Sequence, residues 1–551
     1  MRKKWCSILM ALLVLLTTAS GLATARAEEV TLKPEQGSLT IHKYWAETAE
    51  DIREEGTGEE DKTITNPAVK GIQFDVYLLK GKGSAPATPP SDKDGWSYTK
   101  NGTELLVSKG SETHTYALEL KDSDAGANGK TNATGELVYT DLTAGFYYVE
   151  ENLSASAGYE VQGTGNAEKQ ITSGVKPFIT AVPMTNKAGA DWNTDVHVYP
   201  KNQGLNPQKK ADMPSVNAGD KVTWTISANV PNDFSEYTKF LLTDELDKRL
   251  NYVADSIKVV GLDKNEAELV ALVEGTEYDL THTPATSGTK EEVIVTLTGA
   301  GIAKLAAAKG ITRMAVSFET TVNGHSTTAD ENTIDNEAEF EFENASKPGG
   351  DTATTPSAKV HTGEIAINKT YSGGDQSINK SAQFQVAASE NDATGDRYLK
   401  VVLDDSDTYI TKILAPGAAG YDAALHWIAL PSHGVHTEAL GMSADGKTFY
   451  VESFKGLETY KEDAAQNKTY QAYYLVETVA PDKYNLLEQP IKVTFDKDTS
   501  AKHVHTSAVE NKRGFTLPNT GGMGTLILLV LGIVSIGSAI LLIMNKKKQA
   551  V

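Results

Sequence analysis

The chain has 551 residues, 40% hydrophobic and 7% aromatic, with 46 Gly, 19 Pro and a single Cys. That length asks for several cores, and the apolar content rules out disorder throughout. Lys and Arg number 52 against 73 Asp and Glu, a formal charge of -21, which argues against a protein that follows a phosphate backbone with a basic face, so no nucleic acid partner is expected.

Residues 1–27 join a basic start (Arg2, Lys3, Lys4) to an apolar stretch from Trp5 to Leu16 and to small residues ending in Ala25-Arg26-Ala27. This is the pattern of a secretory signal peptide, with the mature chain beginning at Glu28. Cys6 leaves with it. The mature protein then has no thiol and makes no disulfide, although export takes it where disulfides are permitted.

The body reads as strands. Alternating runs at Ser38–Lys43, Lys221–Ile226 and Glu364–Lys369 lie between clusters of Gly, Asn, Asp and Pro, a pattern that predicts an all-β chain of sandwich domains. Short helices are predicted at Leu242–Leu250 and at the alanine-rich Gly301–Lys309, which Gly310 would stop.

Two stretches resemble each other, one leading into Lys43 and one into Lys369; in both an acid follows 108 residues later, Glu151 and Glu477, and an asparagine closes the unit, Asn202 and Asn511. The repeat predicts two domains of one kind, at 28–202 and 360–514. Residues 203–350 form a third unit between them, and Lys347–His361, rich in Pro, Gly and Thr, reads as a linker.

Residues 515–551 are organised differently. Thr525–Met544 is an uncharged apolar run of 20 residues, and a helix of that length rises about 30 Å, enough to cross a bilayer. Lys546, Lys547 and Lys548 follow, which keeps the tail cytoplasmic and the body outside. Leu517-Pro518-Asn519-Thr520-Gly521 stands just ahead of the span.

Pentapeptide, span and basic tail in that order resemble the cell-wall sorting signal cut by sortases. The stretch Trp192 to Asn202, WNTDVHVYPKN, resembles the pilin motif, with Trp192, Val196, Val198, Tyr199, Pro200, Lys201 and Asn202 at the family's positions. Together these are similar to sortase-assembled major (backbone) pilins of Gram-positive bacteria, of the three-domain corynebacterial and actinomyces shaft type. The resemblance implies tandem immunoglobulin-like β-sandwiches of collagen-adhesin B, A and B type. It implies a structural subunit displayed on the cell surface and no enzyme for external substrates. Its partners would be a pilus-specific sortase, identical subunits, minor tip and base pilins, peptidoglycan and host surface receptors.

In such a pilin, Lys201 attacks the thioester that the sortase makes from Thr520 of another subunit. Loss of both ends removes seven basic residues and no acid, leaving a charge of -28. A body this acidic repels its own copies, so a lasting assembly benefits from covalent bonds.

The resemblance also implies internal Lys–Asn isopeptide bonds. In the last domain Lys369 would attack Asn511 with Glu477 as the acid, in an E-box-like stretch Tyr473–Pro481. The pattern departs at Lys483, where Gly commonly precedes the tyrosine, here Tyr484. Burial disfavours both charged forms, so a neutral amine and a protonated acid can coexist there. The middle unit offers Lys209, Asp244 and Asn336, with Lys210 as the alternative nucleophile. In the first domain Lys43, Glu151 and Asn202 are a third candidate set, although its acid segment lacks the Thr and Ala-Pro of the later one.

No cofactor or metal is expected. Asp122–Gly129 has Ala127 where a calcium loop needs Gly, Asp404, Asp405 and Asp407 read as an exposed acidic loop, and His503 and His505 read as exposed on one strand face. Two rival readings remain at this level. A monomeric wall-anchored adhesin would leave the pilin motif idle; a surface hydrolase would need a nucleophile–base constellation that the sequence does not display.

Overall fold

The computed structural model describes residues 32–48, 51–52, 56–126, 128–163, 169–286, 289–325, 332–372, 382–431, 438–481, 483–497, 499, 502–514 and 523–548. The expected signal peptide, residues 1–27, and the Leu517–Gly521 pentapeptide lie outside them.

Residues 34–203 fold as a sandwich of two sheets. Strand Gln36–His42 is the centre of a three-stranded sheet, parallel to Asp195–Val198 on one side and antiparallel to Glu136–Thr143 on the other. Facing it is a six-stranded sheet in which Gly145–Asn152 lies between Phe178–Val182 and Gln73–Gly81. Leu39, Ile41, Val76, Val149 and Val196, all fully buried, fill the space between the sheets.

The last unit repeats the plan. Gly363–Tyr371 runs parallel to Val504–Asn511 and antiparallel to Phe454–Leu457, opposite an eight-stranded sheet that contains Ala472–Val479. In both units, therefore, the strand that leads to the candidate lysine lies beside the strand that leads to the candidate asparagine. The candidate acid comes from the opposite sheet.

The middle unit differs in its connections. Gln208–Ala211 is the edge strand beside Lys221–Asn229, and Lys239–Leu246 is central in the facing five-stranded sheet. The helix expected at Leu242–Leu250 is not formed. Phe240, Leu242, Asp244 and Leu246 alternate inward along a strand, and a charged residue in an otherwise apolar row hid the period of two.

The linker expected at Lys347–His361 is also a pair of strands. Lys347–Thr354 pairs with Glu339–Asn344 and Ala358–His361 pairs with Thr333–Asn336, carrying Val360 into the middle core. Gly349 and Gly350, both at positive φ, belong to this hairpin rather than to a spacer. The second expected helix is present at Gly299–Ala307, capped by the Thr298 hydroxyl, which accepts from Gly301 N at 3.2 Å.

The units interlock. Ser173 Oγ donates to Asp233 Oδ1 at 2.6 Å and Asn344 Nδ2 to the Thr172 carbonyl at 2.9 Å across the first junction. At the second, Ala218 of the middle unit belongs to the core of the last, its N–H donating to the Gly456 carbonyl at 2.8 Å. At the far end, helix Met523–Lys548 contains Ile527–Lys546, 20 residues of mean hydropathy 2.8, unburied by the rest of the chain and long enough to cross a membrane.

Candidate functional site

Three buried Lys–acid–Asn sets occupy the three sandwiches. In the first, Lys43 follows strand Gln36–His42, and the alternation that sends Ile41 inward sends Lys43 inward too, until none of its surface meets water. Its Nζ lies 2.8 Å from Glu151 Oε1, at ion-pair distance though off the hydrogen-bond direction, while Asn202 Nδ2 donates to Glu151 Oε2 at 3.2 Å. One carboxyl group thus faces the amine with one oxygen and the amide with the other. Burial pulls the Lys43 pKa down to about 8, against the pull of Glu151.

In the middle unit Lys209 points inward, its amine on Asp244 Oδ2 and 3.1 Å from the Glu337 carbonyl. Lys210 points out and pairs with Glu266 at 3.2 Å, so of the two candidate lysines only Lys209 reaches the acid. Burial lowers the Lys209 pKa to about 8 and raises that of Asp244 in spite of the lysine beside it. The Asn336 side chain is buried and close enough to Asp244 to act on its carboxyl group.

In the last unit Asn511 Nδ2 donates to Glu477 Oε2 and to the Asn485 carbonyl, each at 2.7 Å. Lys369 Nζ donates to the Thr370 carbonyl at 3.1 Å and lies 4.5 Å from the Tyr371 ring centroid. Desolvation takes Lys369 to about 8 and pushes Glu477 up. In the first domain, whose acid segment departs most from the later one, the acid contacts both other members.

The chemistry open to such sets follows from their burial. An apolar surrounding favours a neutral amine, which is a nucleophile, and a protonated acid, which can donate to an amide oxygen. Asn202 and Asn511 each leave Oδ1 without a partner among the described residues, while Nδ2 is held. A salt bridge with both charges kept would face a large desolvation cost.

The segment Trp192 to Asn202 is extended. Trp192 pairs across to Thr185, Val196 is in the core, Val198 packs against it, and the Pro200 carbonyl accepts from Tyr44 N at 3.1 Å. Lys201 and Asn202 pair in parallel with Tyr44 and Trp45. Neighbours on a strand face opposite ways, so Asn202 enters the core and Lys201 turns out, half-buried, into a cavity of about 700 Å³. Glu59, Glu60, Asp61 and Asp233 also line it, with Lys176 and Lys187.

A family model of the Gram-positive pilin subunit D1 N-terminal domain matches residues 34–203, and a model of the LPXTG cell wall anchor motif matches residues 509–551. The chain carries a Gram-positive pilin domain and a cell-wall anchor. The pilin is 27% identical to fimbrial subunit type 1 of Actinomyces viscosus over 94% of its own length and 92% of that chain. It is 26% identical to fimbrial subunit type 2 of Actinomyces naeslundii, over 93% and 90%. Among solved structures it is similar to the full-length major pilin SpaD of Corynebacterium diphtheriae, with a TM-score of 0.49 and 22% identity, covering 89% of the pilin and all of that chain.

The pilin is thus a structural, cell-wall-anchored subunit of a surface pilus, built of immunoglobulin-like sandwiches with a C-terminal apolar span. Sequence reasoning missed one feature of the site. His42, Tyr44, His197 and Tyr199 share the outward face with Lys201, and the strand alternation that placed Lys43 inward already put them there.

Proposed function

We propose that this pilin is the shaft subunit of a covalently polymerised pilus, joined by a pilus-specific sortase from Thr520 of one subunit to Lys201 of the next. The supporting observation is the turn of the strand at 201–202, which presents Lys201 to an open cavity while anchoring its neighbour in the core. In the joining step the Lys201 amine bonds to the threonine carbonyl carbon, the carbon–sulfur bond to the sortase cysteine breaks, and the amine proton passes to the departing thiolate. Donor and acceptor are different patches, so the contact repeats without closing and gives an open filament. The base subunit would be attached to peptidoglycan, and minor pilins would occupy tip and base.

Within each subunit the three buried sets would form amides, Lys43–Asn202, Lys209–Asn336 and Lys369–Asn511. In each, the amine nitrogen bonds to the side-chain carbonyl carbon and ammonia leaves. Glu151, Asp244 and Glu477 would polarise the amide and carry the protons.

The joining reaction is tested by replacing Lys201 with alanine in cells that assemble the pilus. Loss of the high-mass ladder on a denaturing gel is expected; an unchanged ladder overturns the assignment of Lys201.

A further inference from the structure

The outward face beside Lys201 holds four titratable groups in a line. Asp195 Oδ2 lies 3.2 Å from His197 Nε2, His197 Nδ1 lies 2.9 Å from His42 Nε2, and His42 Nδ1 lies 3.8 Å from Glu136 Oε1. The groups come from the strand of the pilin motif, from the first strand and from Glu136–Thr143. The Tyr199 ring stacks on His42 at 4.8 Å and 10°, and its hydroxyl accepts from Asp61 N at 2.5 Å. Tyr44 also stacks on Tyr199, at 6.5 Å. A loop closes over the pair, His197 N donating to the Gly58 carbonyl at 2.9 Å, and it brings Glu60 close enough to act on His42.

We propose that His42 and His197 are positioning residues for the joining reaction, a two-ring clamp that holds Tyr199, and through it the strand presenting Lys201, and that lets go when both rings are fully protonated. The proposal rests on the reading of Lys201 as the joining amine.

Proton arithmetic on the four ring nitrogens carries the argument. Two neutral rings hold two protons, and one of them must lie between the rings to make the 2.9 Å bond. A third proton completes N–H donors toward both Asp195 and Glu136 and leaves the inner bond intact. A fourth sets two N–H groups against each other, and the bond is lost. Burial first, then the neighbouring ring, hold His42 below the usual imidazole value, with Glu136, Glu60 and Asp195 pulling the other way. Tyr199 then loses its stacking partner two residues before Lys201, and the same loop residues, Glu59, Glu60 and Asp61, line the Lys201 cavity.

Two variants separate the clamp from simple packing. In His197→Asn the amide reaches the place of Nδ1, and in His42→Gln that of Nε2, so the double variant keeps a hydrogen bond that does not titrate. Full-length protein in detergent is measured by hydrogen exchange between about pH 7.5 and about pH 5, where histidines take up protons. In the wild type, protection of residues 195–202 should fall about tenfold towards acid relative to Lys221–Asn229. The double variant should show no such fall, and His42→Ala should lack the protection even at the upper pH. Matching pH profiles in wild type and double variant overturn the proposal, as does full protection in His42→Ala. Sortase joining of an LPNTG peptide, followed over the same pH range with the acceptor lysine mapped, provides the second readout. Use of another lysine would sink the Lys201 assignment while the exchange result still decides the clamp; joining at Lys201 with one profile in both proteins would sink the clamp alone.

Discussion

Lys483 stands where the family's E-box commonly has Gly, and its backbone is left-handed, with φ of 69°. The departure from pattern therefore changes the residue and keeps the turn. An L side chain in that region costs about 1 kcal/mol relative to Gly, so Lys483→Gly should raise the stability of the last domain by about that amount, seen as a higher Tm. A lower Tm would mean that the lysine side chain contributes something the strain does not outweigh. The proposed amides are also settled residue by residue. Each releases one ammonia, so three bonds lower the intact mass by about 51 Da, about 17 Da apiece. Glu151→Ala, Asp244→Ala and Glu477→Ala should each restore one such step. A wild-type mass equal to that of the sequence sinks all three bonds, and a variant with no shift clears its acid of the role.

Elements were legible in the sequence to the extent that one face was apolar. The strands leading to Lys43 and Lys369 announced themselves by alternation, and the lysines fell on the inward phase. Strand Lys239–Leu246 did not, because its inward row is interrupted by Asp244, the residue of chemical interest there. Composition misled at 347–361: Pro and Gly suggested a spacer, but Thr352, Ala353 and Thr354 belong to an edge strand, and Val360, on a separate strand, enters the middle core. Which of Lys209 and Lys210 faces inward needed the register against Ile226 and Thr225, which no local pattern supplies. The His42–His197 contact joins strands 155 residues apart in the chain and leaves no local trace. The helix at Gly299–Ala307 was found two residues late because its start depends on the Thr298 cap. Thr298→Ala should cost about 1 kcal/mol in chemical denaturation of the middle unit; no loss would mean that the Ile302 and Leu305 contacts alone hold the helix.

On the scale of the whole molecule, the joint between the middle and last units contains a second pair of histidines. His361 and His503 rings lie 4.0 Å apart, so His503, expected on an exposed strand face, is half-buried at the joint. His361 Nδ1 is 3.0 Å from Thr333 Oγ1. Burial first, then His503, Lys468 and Lys359, lower the His361 pKa from 6.5 to about 4, with Asp335 opposing. The unfolded chain therefore takes the proton first. The joint contributes its full stability above pH 6.5, loses it as the pH falls below that value, and has lost it near pH 4. Allowing for solvent screening, the loss is about 1 kcal/mol. The Tm of the first unfolding transition should drop across that interval, and His361→Asn, which keeps an acceptor for Thr333, should flatten the curve. An identical curve in the variant would move the sensitivity elsewhere.

The placement of the cross-linking residues early and late in each sandwich bears on how a fibre would respond to being pulled. Load would enter at Lys201 and leave at Thr520, so the first 200 residues hang beside the line of traction. Between those points the amides would divert the load from Lys209 straight to Asn336 and from Lys369 straight to Asn511. The stretches 201–209, 336–369 and 511–520 would then feel the full tug as plain backbone, the second carrying the middle unit's strands Glu339–Asn344, Lys347–Thr354 and Ala358–His361, while the strands between each bonded pair would be spared unravelling. Such a strand would behave less like a spring than like a cable of fixed length.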